Sequence, residues 1–307
     1  MITGNVEPTA VLEALRVVQD PDLGRDIVSL DFVKDVRVEG GEVSFVIELT
    51  TPACPVKDQM HDQAVAAVSA LDGVTGVKVS MTSNVRAVAS PEAGRAPIPG
   101  VKNIIAVGAG KGGVGKSTVA VNLALALSHC GGRVGMIDAD VYGPNIPLML
   151  GVHTQLETDG KKIVPAEKYG IPVVSMGFLT QDETPIIWRG PMLHGIVQQF
   201  FREVRWDELD YLVVDMPPGT GDVALSLSQT VPVSGAVVVT TPQTVSVADS
   251  RRAVAMYKKL NVPVLGLVEN MSHFVCPSCD HESDIFGKGG GESAAEELGV
   301  PFLGRIP

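Results

Sequence analysis

The sequence has little cysteine, too few basic residues to balance its acids, and no long apolar run. Four cysteines in 307 residues are too few for a disulfide framework, so a reducing compartment is expected. A formal net charge of -11 argues against a nucleic-acid surface, which needs Lys and Arg to neutralise phosphates. No stretch approaches the roughly 18 apolar residues of a spanning helix, and the start, MITGNVEPTA, is not typical of a signal peptide. We therefore expect a cytoplasmic protein without a nucleic-acid or membrane partner.

Composition divides the chain into two predicted domains. The segment SPEAGRAPIPG is rich in proline and glycine and lacks apolar periodicity, which is typical of a linker. We place the linker at residues 89–100, between a first domain at 1–88 and a second at 101–307. In the first domain, helical patterns at 8–20 and 56–71 alternate with strand patterns, which predicts a small α+β domain. The predicted strands are 32–38, 43–49 and 74–81.

The second domain alternates short runs of Val, Ile and Leu with amphipathic stretches. The clearest predicted helices are 116–129 and 245–260. This alternation predicts an α/β fold in which a mostly parallel sheet is covered by helices on both faces. Ligands of such sheets bind beyond the carboxyl ends of the strands. The predicted strands are 103–108, 133–138, 173–176, 211–215, 236–240, 264–268 and 302–306.

The stretch GAGKGGVGKST at residues 108–118 has the spacing of a phosphate-binding loop. An apolar strand precedes it and a helix follows it, which is the context that this motif requires. Its glycines allow consecutive backbone N–H groups to turn toward phosphates at a helix N-terminus. We predict that Lys116 contacts the β and γ phosphates of a nucleotide and that the Ser117 hydroxyl binds Mg²⁺. The predicted loop contacts are Gly110, Lys111, Gly112, Gly113, Val114, Gly115, Lys116, Ser117 and Thr118.

Three aspartates follow apolar strands and fit the same site. In VVDMPPG, Asp215 is placed to hold the metal ion through water, and Gly219 to offer a backbone N–H near the γ phosphate. In IDAD, Asp138 and Asp140 are placed to orient or deprotonate an attacking water. A single aspartate at a strand end is often only a turn former. Three of them beside one phosphate loop favour a site that hydrolyses a nucleotide.

The motif CPSC supplies two candidate metal ligands. In HFVCPSCDHE, Cys276 and Cys279 are half of a tetrahedral thiolate site, with His273 and His281 on either side. Several interpretations are open at this point: iron-sulfur ligands, structural zinc, a redox pair, a zinc site assisted by the histidines, or inert loop residues. If two copies of the chain pair about a two-fold axis, the same motif from each copy could complete a four-thiolate site.

The loop KGGVGKS resembles the deviant phosphate loop of the MinD/ParA class of ATPases. In that class the early lysine, which is Lys111 here, reaches the nucleotide of a dimer partner and adds positive charge as an arginine finger does. The resemblance therefore implies a homodimer. The alternative interpretation of Lys111 is a solvated loop lysine.

Residues 101–307 as a whole resemble the Mrp/ApbC-type iron-sulfur cluster carrier ATPases. The motifs that carry the resemblance are the loop, DADVYGPNIP, DMPPGTGD, VENMS before CPSC, and IFGKGGGE. It implies a slow ATPase that uses ATP and Mg²⁺ and bridges a [4Fe-4S] cluster between subunits at Cys276 and Cys279. The implied partners are apo iron-sulfur proteins and cluster assembly factors. The implied roles are catalysis by Lys111, Lys116 and Asp140, magnesium binding by Ser117 and Asp215, and an adenine contact by Asn270.

The first domain resembles the small MIP-type domain of iron-sulfur assembly factors, through DPDLGRDIVSLDFV and TTPACPVKDQM. Cys54 matches the single cysteine of that domain, and the helix that follows it could favour the thiolate, so Cys54 is a candidate accessory thiol. An isolated cysteine is also common as a small core residue, and Cys130, at the end of an apolar helix, is interpreted as one. Mrp/ApbC-type chains ordinarily continue past LGRIP with a loop and helix that help cover the base.

Three other functions compete with a cluster carrier. A MinD/ParA-like spatial organiser needs an amphipathic basic anchor or a basic patch, and neither pattern is visible. An ATP-driven reductase similar to the nitrogenase iron protein takes its two cysteines from well-separated loops, whereas Cys276 and Cys279 are three positions apart. A structural zinc ion that holds two chains together uses the same four thiolates as a cluster, so the ligand set leaves it open.

Overall fold

The computed structural model describes residues 6–87, 95–140, 143–154, 156–178, 190–219 and 222–307. The chain divides into two compact units, 1–86 and 87–307, close to the boundary predicted at residue 88. Parts of three predicted features lie outside the described residues. They are positions 89–94 of the linker, 141–142 of DADVYGPNIP and 220–221 of DMPPGTGD.

The first unit is a three-stranded sheet packed with two helices. Its elements are α1 (Pro8–Leu15), β1 (Gln19–Asp20), β2 (Arg25–Asp26), β3 (Val33–Glu39), β4 (Glu42–Leu49), α2 (Lys57–Ser69) and β5 (Gly76–Ser83). Strand β4 lies in the middle, antiparallel to β3 and parallel to β5. Alternate residues of β4 are buried and share one core with Met60, Ala64 and Val68, which follow one another at helical spacing on α2. The predicted α+β domain is confirmed.

The helices and strands of the second unit run from β6 (Val101–Ala109) to β17 (Phe302–Arg305). Its first half contains α3 (Lys116–His129), β7 (Val134–Asp138), α4 (Ile146–Leu150), β8 (Glu157–Thr158), β9 (Ile163–Val164), β10 (Ala166–Lys168), β11 (Ile171–Ser175) and a 3₁₀ turn, Met176–Phe178. Its second half contains α5 (Gly190–Arg202), β12 (Leu209–Asp215), α6 (Asp222–Thr230), β13 (Gly235–Thr240), α7 (Thr244–Lys259), β14 (Val264–Glu269), β15 (Phe274–Val275), β16 (Glu282–Ser283) and α8 (Gly290–Leu298). In the described part of the chain, no helix has the length and apolar character to cross a membrane.

Eight strands of this unit form one sheet in the order β10-β11-β7-β12-β6-β13-β14-β17. All neighbouring pairs are parallel except β10 with β11, which is antiparallel. The predicted mostly parallel sheet is confirmed. Strand β10 escaped the prediction because its three residues are too short for a period-two pattern to show.

Helices cover both faces of the sheet. Successive residues of β6 and β12 alternate between two separate cores, as the pleat requires. One core contains Phe200 of α5, Leu227 of α6 and Val254 of α7, and the other contains Ala120 of α3 and Ile146 of α4. Because both faces are buried, the central strands are continuous apolar runs, which is why the sequence revealed them.

The topology brings the functional segments to one edge of the sheet. Strand β12 lies between β7 and β6, with Asp215 in register with Asp138 on one side and Val107 on the other. The phosphate loop leaves the carboxyl end of β6 directly beside these residues. This edge is where ligands of open parallel sheets bind.

The predicted linker at 89–100 extends too far at its C-terminal end, where the structure describes residues 95–100. Ile98 is buried in a core of the second unit, and the Ala96 N–H donates to the Thr230 carbonyl. Residues 95–100 therefore pack as part of the second unit. The sequence did not reveal this packing, because the segment is rich in proline and a single buried residue, Ile98, produces no periodic pattern.

Leu212 offers a test of the packing of β12. It is fully buried, so Leu212→Ala should lower the free energy of unfolding of the second unit by about 2–5 kcal/mol, through lost burial and the cavity left behind. Val245→Ala, at an exposed position of α7, should change it by less than about 0.5 kcal/mol. Urea titration followed by tryptophan fluorescence reports on this unit, since both tryptophans lie in it. Equal midpoints for the two variants would contradict a central, packed β12.

Candidate functional site

The phosphate loop is fixed by close backbone contacts between β6 and α3. Gly115 has φ 82°, a left-handed conformation that glycine adopts without strain. A Cβ on Gly110 would collide with the backbone of Asp249, and one on Gly115 with the side-chain amide of Asn270. Val114 is buried and packs into the core on the α3 side of the sheet. The loop backbone is thus held in place from both sides by the protein itself.

Lys116, Ser117 and Asp215 meet at the first turn of α3. Lys116 Nζ lies 2.6 Å from Asp215 Oδ1, and Ser117 Oγ donates a 2.6 Å hydrogen bond to Asp215 Oδ2. Burial raises the pKa of Asp215, although the nearby Lys116 charge and the hydrogen bonds from Lys116 and Ser117 act to lower it. The structure therefore brings together the lysine, hydroxyl and carboxylate that the motifs predict at one nucleotide.

Asp138 is buried more deeply than the predicted role of orienting an attacking water requires. Its fully buried carboxylate accepts a hydrogen bond from Ser175 Oγ at 2.8 Å and from the N–H groups of Ile146 and Asp140 at 3.2 Å each. Burial, together with the charge of Asp215, raises the pKa of Asp138 to about 7. Asp138 thus positions Asp140 and the start of α4. Sequence analysis missed Ser175, since a lone serine at a strand end carries no motif.

A cavity of about 320 Å³ opens beside the loop. Asp140 forms its acidic wall, with Oδ2 at 3.4 Å from Lys116 Nζ. Exposed apolar side chains from α4, Leu148 and Met149, form another wall. No sequence pattern predicts them, because this helix has only five residues. The lining residues are Lys111, Gly112, Gly113, Gly115, Lys116, Ser117, Thr118, Asp140, Asn145, Leu148, Met149 and Pro218.

Lys111 lines the same cavity and is half-buried. Lys116 is engaged by Asp215 and Asp140, whereas Lys111 has no ion-pair partner among the residues that the structure describes. The two lysines of the loop therefore differ in kind. Lys116 is part of a buried charge cluster, and Lys111 lines the cavity outside that cluster.

Two predicted nucleotide contacts are arranged differently from expectation. The Gly219 N–H donates to the Ala109 carbonyl at 2.9 Å, so it is not offered to a γ phosphate, and the neighbouring Pro218 lines the cavity instead. The Asn270 side chain donates from Nδ2 to the Val114 carbonyl at 2.9 Å. Asn270 thus supports the phosphate loop, and its contact with adenine stays a prediction.

Cys276 and Cys279 lie in the turn of a small hairpin formed by β15 and β16. The Cys276 N–H donates to the His281 carbonyl at 3.0 Å, which closes the turn. Cys276 is half-buried and Cys279 is exposed. The hairpin follows directly on β14, so the thiols and the phosphate loop both lie beyond the carboxyl ends of the strands.

The thiols are prepared for a metal but do not complete a site. Hydrogen bonds from the Ser278 backbone and from Cys279 lower the pKa of the Cys276 thiol, which favours the thiolate that binds metals. Within the described part of the chain, no three His, Cys, Asp or Glu side chains are grouped to hold a metal ion. Among these described residues, the histidines at 273 and 281 are not grouped with the two thiols.

The remaining cysteines have different environments. Cys54 is half-buried and packs against the core of the first unit, ahead of α2, so its role as an accessory thiol stays a prediction. Cys130 is exposed at the C-terminus of α3. The interpretation of Cys130 as a packing residue is wrong, because the apolar face of α3 ends one turn earlier.

Comparison with protein families gives this geometry a class. Residues 100–307 match the family described as NUBPL iron-transfer P-loop NTPase. The chain belongs to this NTPase family. Residues 8–81 match a second family, described as iron-sulfur cluster assembly protein. The resemblances that the motifs carried in both domains are confirmed.

Individual proteins that are similar to this chain include iron-sulfur cluster carrier proteins and a nucleotide-binding protein. The chain is 52% identical over 305 residues to an iron-sulfur cluster carrier protein of Synechocystis sp., covering 97% of this chain and 86% of that protein. It is 46% identical over 252 residues to the iron-sulfur cluster carrier protein of Escherichia coli (strain K12), covering 81% and 68%. A solved structure of a nucleotide-binding protein from Archaeoglobus fulgidus in complex with ADP superposes with a TM-score of 0.61 at 37% identity, covering 68% of this chain and 83% of that one.

The buried Asp138 predicts how stability of this NTPase depends on pH. Its pKa of about 7 is above the unfolded value, so the native state binds a proton that the unfolded chain has lost, and stability falls as pH rises from 5 to 7. This residue alone should contribute a slope of about 1.4 kcal/mol per pH unit. Asp138→Asn should remove that slope, as measured by urea unfolding without nucleotide at several pH values.

Asp210 provides the matched control for this pH series. Burial acts to raise its pKa, but hydrogen bonds from Arg133 and Lys102 outweigh burial and hold it at about 2. Asp210→Asn should therefore lower stability at every pH while leaving the slope between pH 5 and 7 unchanged. An unchanged slope in Asp138→Asn would show that Asp138 is ionised throughout this range.

Proposed function

We propose that this chain is an ATP-hydrolysing carrier that holds a [4Fe-4S] cluster between two copies of itself and delivers it to apo iron-sulfur proteins. The observation that carries the proposal is the pair of thiols, the half-buried Cys276 and the exposed Cys279, on a hairpin at the same sheet edge as the phosphate loop. Membership of an iron-transfer NTPase family supports the cargo. ATP can drive delivery only by favouring one of two conformations that hold the cluster differently.

The incomplete ligand set supports a homodimer. Each chain supplies two thiols, whereas a tetrahedral thiolate site takes four ligands, and a two-fold axis beside the hairpin would supply the second pair. Exposed apolar side chains accompany the thiols, which is typical of a surface that becomes covered. Around the hairpin they are Met271, Phe274, Val275, Ile285, Phe286 and Ile306.

The arrangement around the cavity supports the proposal of ATP hydrolysis. The Ser117 hydroxyl and the Asp215 carboxylate are the oxygen donors that Mg²⁺ takes, and a bound Mg²⁺ would neutralise phosphate charge. A water oriented by Asp140 attacks the γ phosphorus, and the bond from that phosphorus to the bridging oxygen of ADP breaks. Lys116 of the same chain and Lys111 of the second copy stabilise the charge that develops on the transferred group.

Anaerobic reconstitution with iron and sulfide tests the cargo. The wild type should gain a broad visible charge-transfer band and about four irons per dimer. Cys276→Ala/Cys279→Ala should lose both, because it removes every thiolate of the shared site. Cys130→Ser, which changes an exposed cysteine outside the hairpin, should keep them.

The same experiment separates the cluster from zinc. A colourless wild type that keeps about one zinc per dimer would replace the carrier by an ATPase dimer held by structural zinc. A monomer that binds iron through the first unit alone would contradict the bridged site. Mass measurement under native conditions distinguishes these results.

Mixing two inactive variants tests whether Lys111 acts across the dimer. Lys111→Ala and Asp140→Ala should each bind ATP but release little phosphate. In an equal mixture, half of the dimers are mixed, and each has one complete site, so about a quarter of wild-type phosphate release should return. If Lys111 serves the nucleotide of its own chain, no site in the mixed dimer is complete and activity stays at the level of the single variants.

A further inference from the structure

Asn270 links the phosphate loop to the segment that leads into the thiol hairpin. Its Nδ2 donates to the Val114 carbonyl at 2.9 Å, and the whole side chain is buried. Gly115 makes room for this contact, since a Cβ there would collide with the amide. The backbone N–H of Asn270 donates to the Thr240 carbonyl, so Asn270 is tied to β13 as well. The contact is therefore a close, oriented fit between residues 156 positions apart.

The geometry of one peptide unit connects this contact to phosphate binding. The Val114 carbonyl and the Gly115 N–H belong to the same peptide group, which is planar and trans, so they point in opposite directions. Asn270 holds the carbonyl from behind, and Gly115 lines the cavity in front. A phosphate that draws on the Gly115 N–H thus pulls on the same rigid unit that Asn270 holds.

The chain on the other side of Asn270 is anchored to its neighbours by several hydrogen bonds. Ser272 is anchored twice, by its hydroxyl to the buried Glu269 at 2.8 Å and by its N–H to the Ile306 carbonyl. Glu269 in turn accepts the Gly291 N–H at the start of α8. Between these anchors, Met271 has φ 53°, a left-handed conformation that is strained for a bulky side chain. Cys276 begins the thiol turn only four positions after Ser272.

We propose that Asn270 is a positioning residue that couples occupation of the phosphate loop to the conformation of the Cys276–Cys279 turn, through its hydrogen bond to Val114. The coupling to a cluster rests on the proposed carrier function, whereas the link between the loop and the turn does not. Because coupling between two sites is reciprocal, a ligand on the thiols changes phosphate affinity by the same factor as phosphate changes affinity at the thiols. This role is separate from any contact of Asn270 with a base.

Inorganic tripolyphosphate with Mg²⁺ tests the first half of the proposal, because it fills a phosphate loop but has no adenine. Asn270→Ala should weaken its binding about three- to tenfold in calorimetry, the effect of one lost hydrogen bond. Asn270→Asp keeps the shape but repels the Val114 carbonyl, and should weaken binding at least as much. Asn122→Ala is the matched control, since its amide also donates to a backbone carbonyl at 2.9 Å but on the exposed face of α3, and it should leave affinity unchanged.

Thiol reactivity tests the second half without any cluster. In a Cys54→Ser/Cys130→Ser background, the two remaining thiols are those of the hairpin, and their rate of reaction with a disulfide reagent is measured with and without saturating Mg²⁺-tripolyphosphate. The ligand should change this rate severalfold, and Asn270→Ala or Asn270→Asp should abolish most of the change even at saturation.

Each outcome decides the matter. Weakened binding of ATP with unchanged binding of tripolyphosphate would show that Asn270 contacts only the base and would overturn the proposal. The coupling would be overturned if Mg²⁺-tripolyphosphate left the thiol reaction rate unchanged in the Cys54→Ser/Cys130→Ser background. It would also be overturned if the change in rate persisted fully in both Asn270 variants. A colourless reconstituted protein would end the carrier proposal but would leave these two readouts, and the link that they measure, intact.

Discussion

The Lys116–Asp215 ion pair, 2.6 Å long and buried, is the contact on which the nucleotide site depends. One lysine serves two carboxylates, since Asp140 lies 3.4 Å away on its other side, and Asp138 stands behind them. Three carboxylates thus share one ammonium group, and burial raises the pKa values of Asp138 and Asp215, with a smaller contribution from the charge of a neighbouring carboxylate to each. A phosphate alone would add to this negative charge, whereas a Mg²⁺ ion that arrives with it would offset part of the added charge. This charge balance is better suited to a phosphate that arrives with Mg²⁺ than to a free phosphate.

The parts predicted well from sequence are those that repeat a pattern or carry a fixed spacing. The parallel strands were visible because burial on both faces leaves uninterrupted apolar runs, and the phosphate loop because glycine is required at places such as Gly115. Prediction failed where tertiary contact decides. The buried position of the Asp138 carboxylate depends on a hydrogen bond from Ser175, which is distant in sequence but lies on the neighbouring strand β11. Exposure of Cys130 depends on where α3 leaves the core, and the use of the Gly219 N–H depends on Ala109.

Both chemical sites lie on a single edge of one sheet, and this shortens the route between them. Phosphate chemistry occupies the ends of β6, β7 and β12, and the thiols follow β14, two strands from β6. One site can influence the other without a domain rotation. The buried amide of Asn270 already contacts the phosphate loop, and the nearby Ser272 anchors the segment that leads into the hairpin. A dimer formed across this edge would enclose nucleotide and cargo in one interface.

The order of the strands also has a consequence for synthesis. Strand β12 lies between β6 and β7, yet it is translated after both, and Asp215 follows Lys116 by 99 positions. At ordinary elongation rates this is a delay of about 5–20 s. During that time β6 and β7 have emerged with open edges and no strand to join them, while the first unit, complete by residue 86, can already fold. The nascent second unit therefore exposes unpaired strand edges for longer than the first unit does.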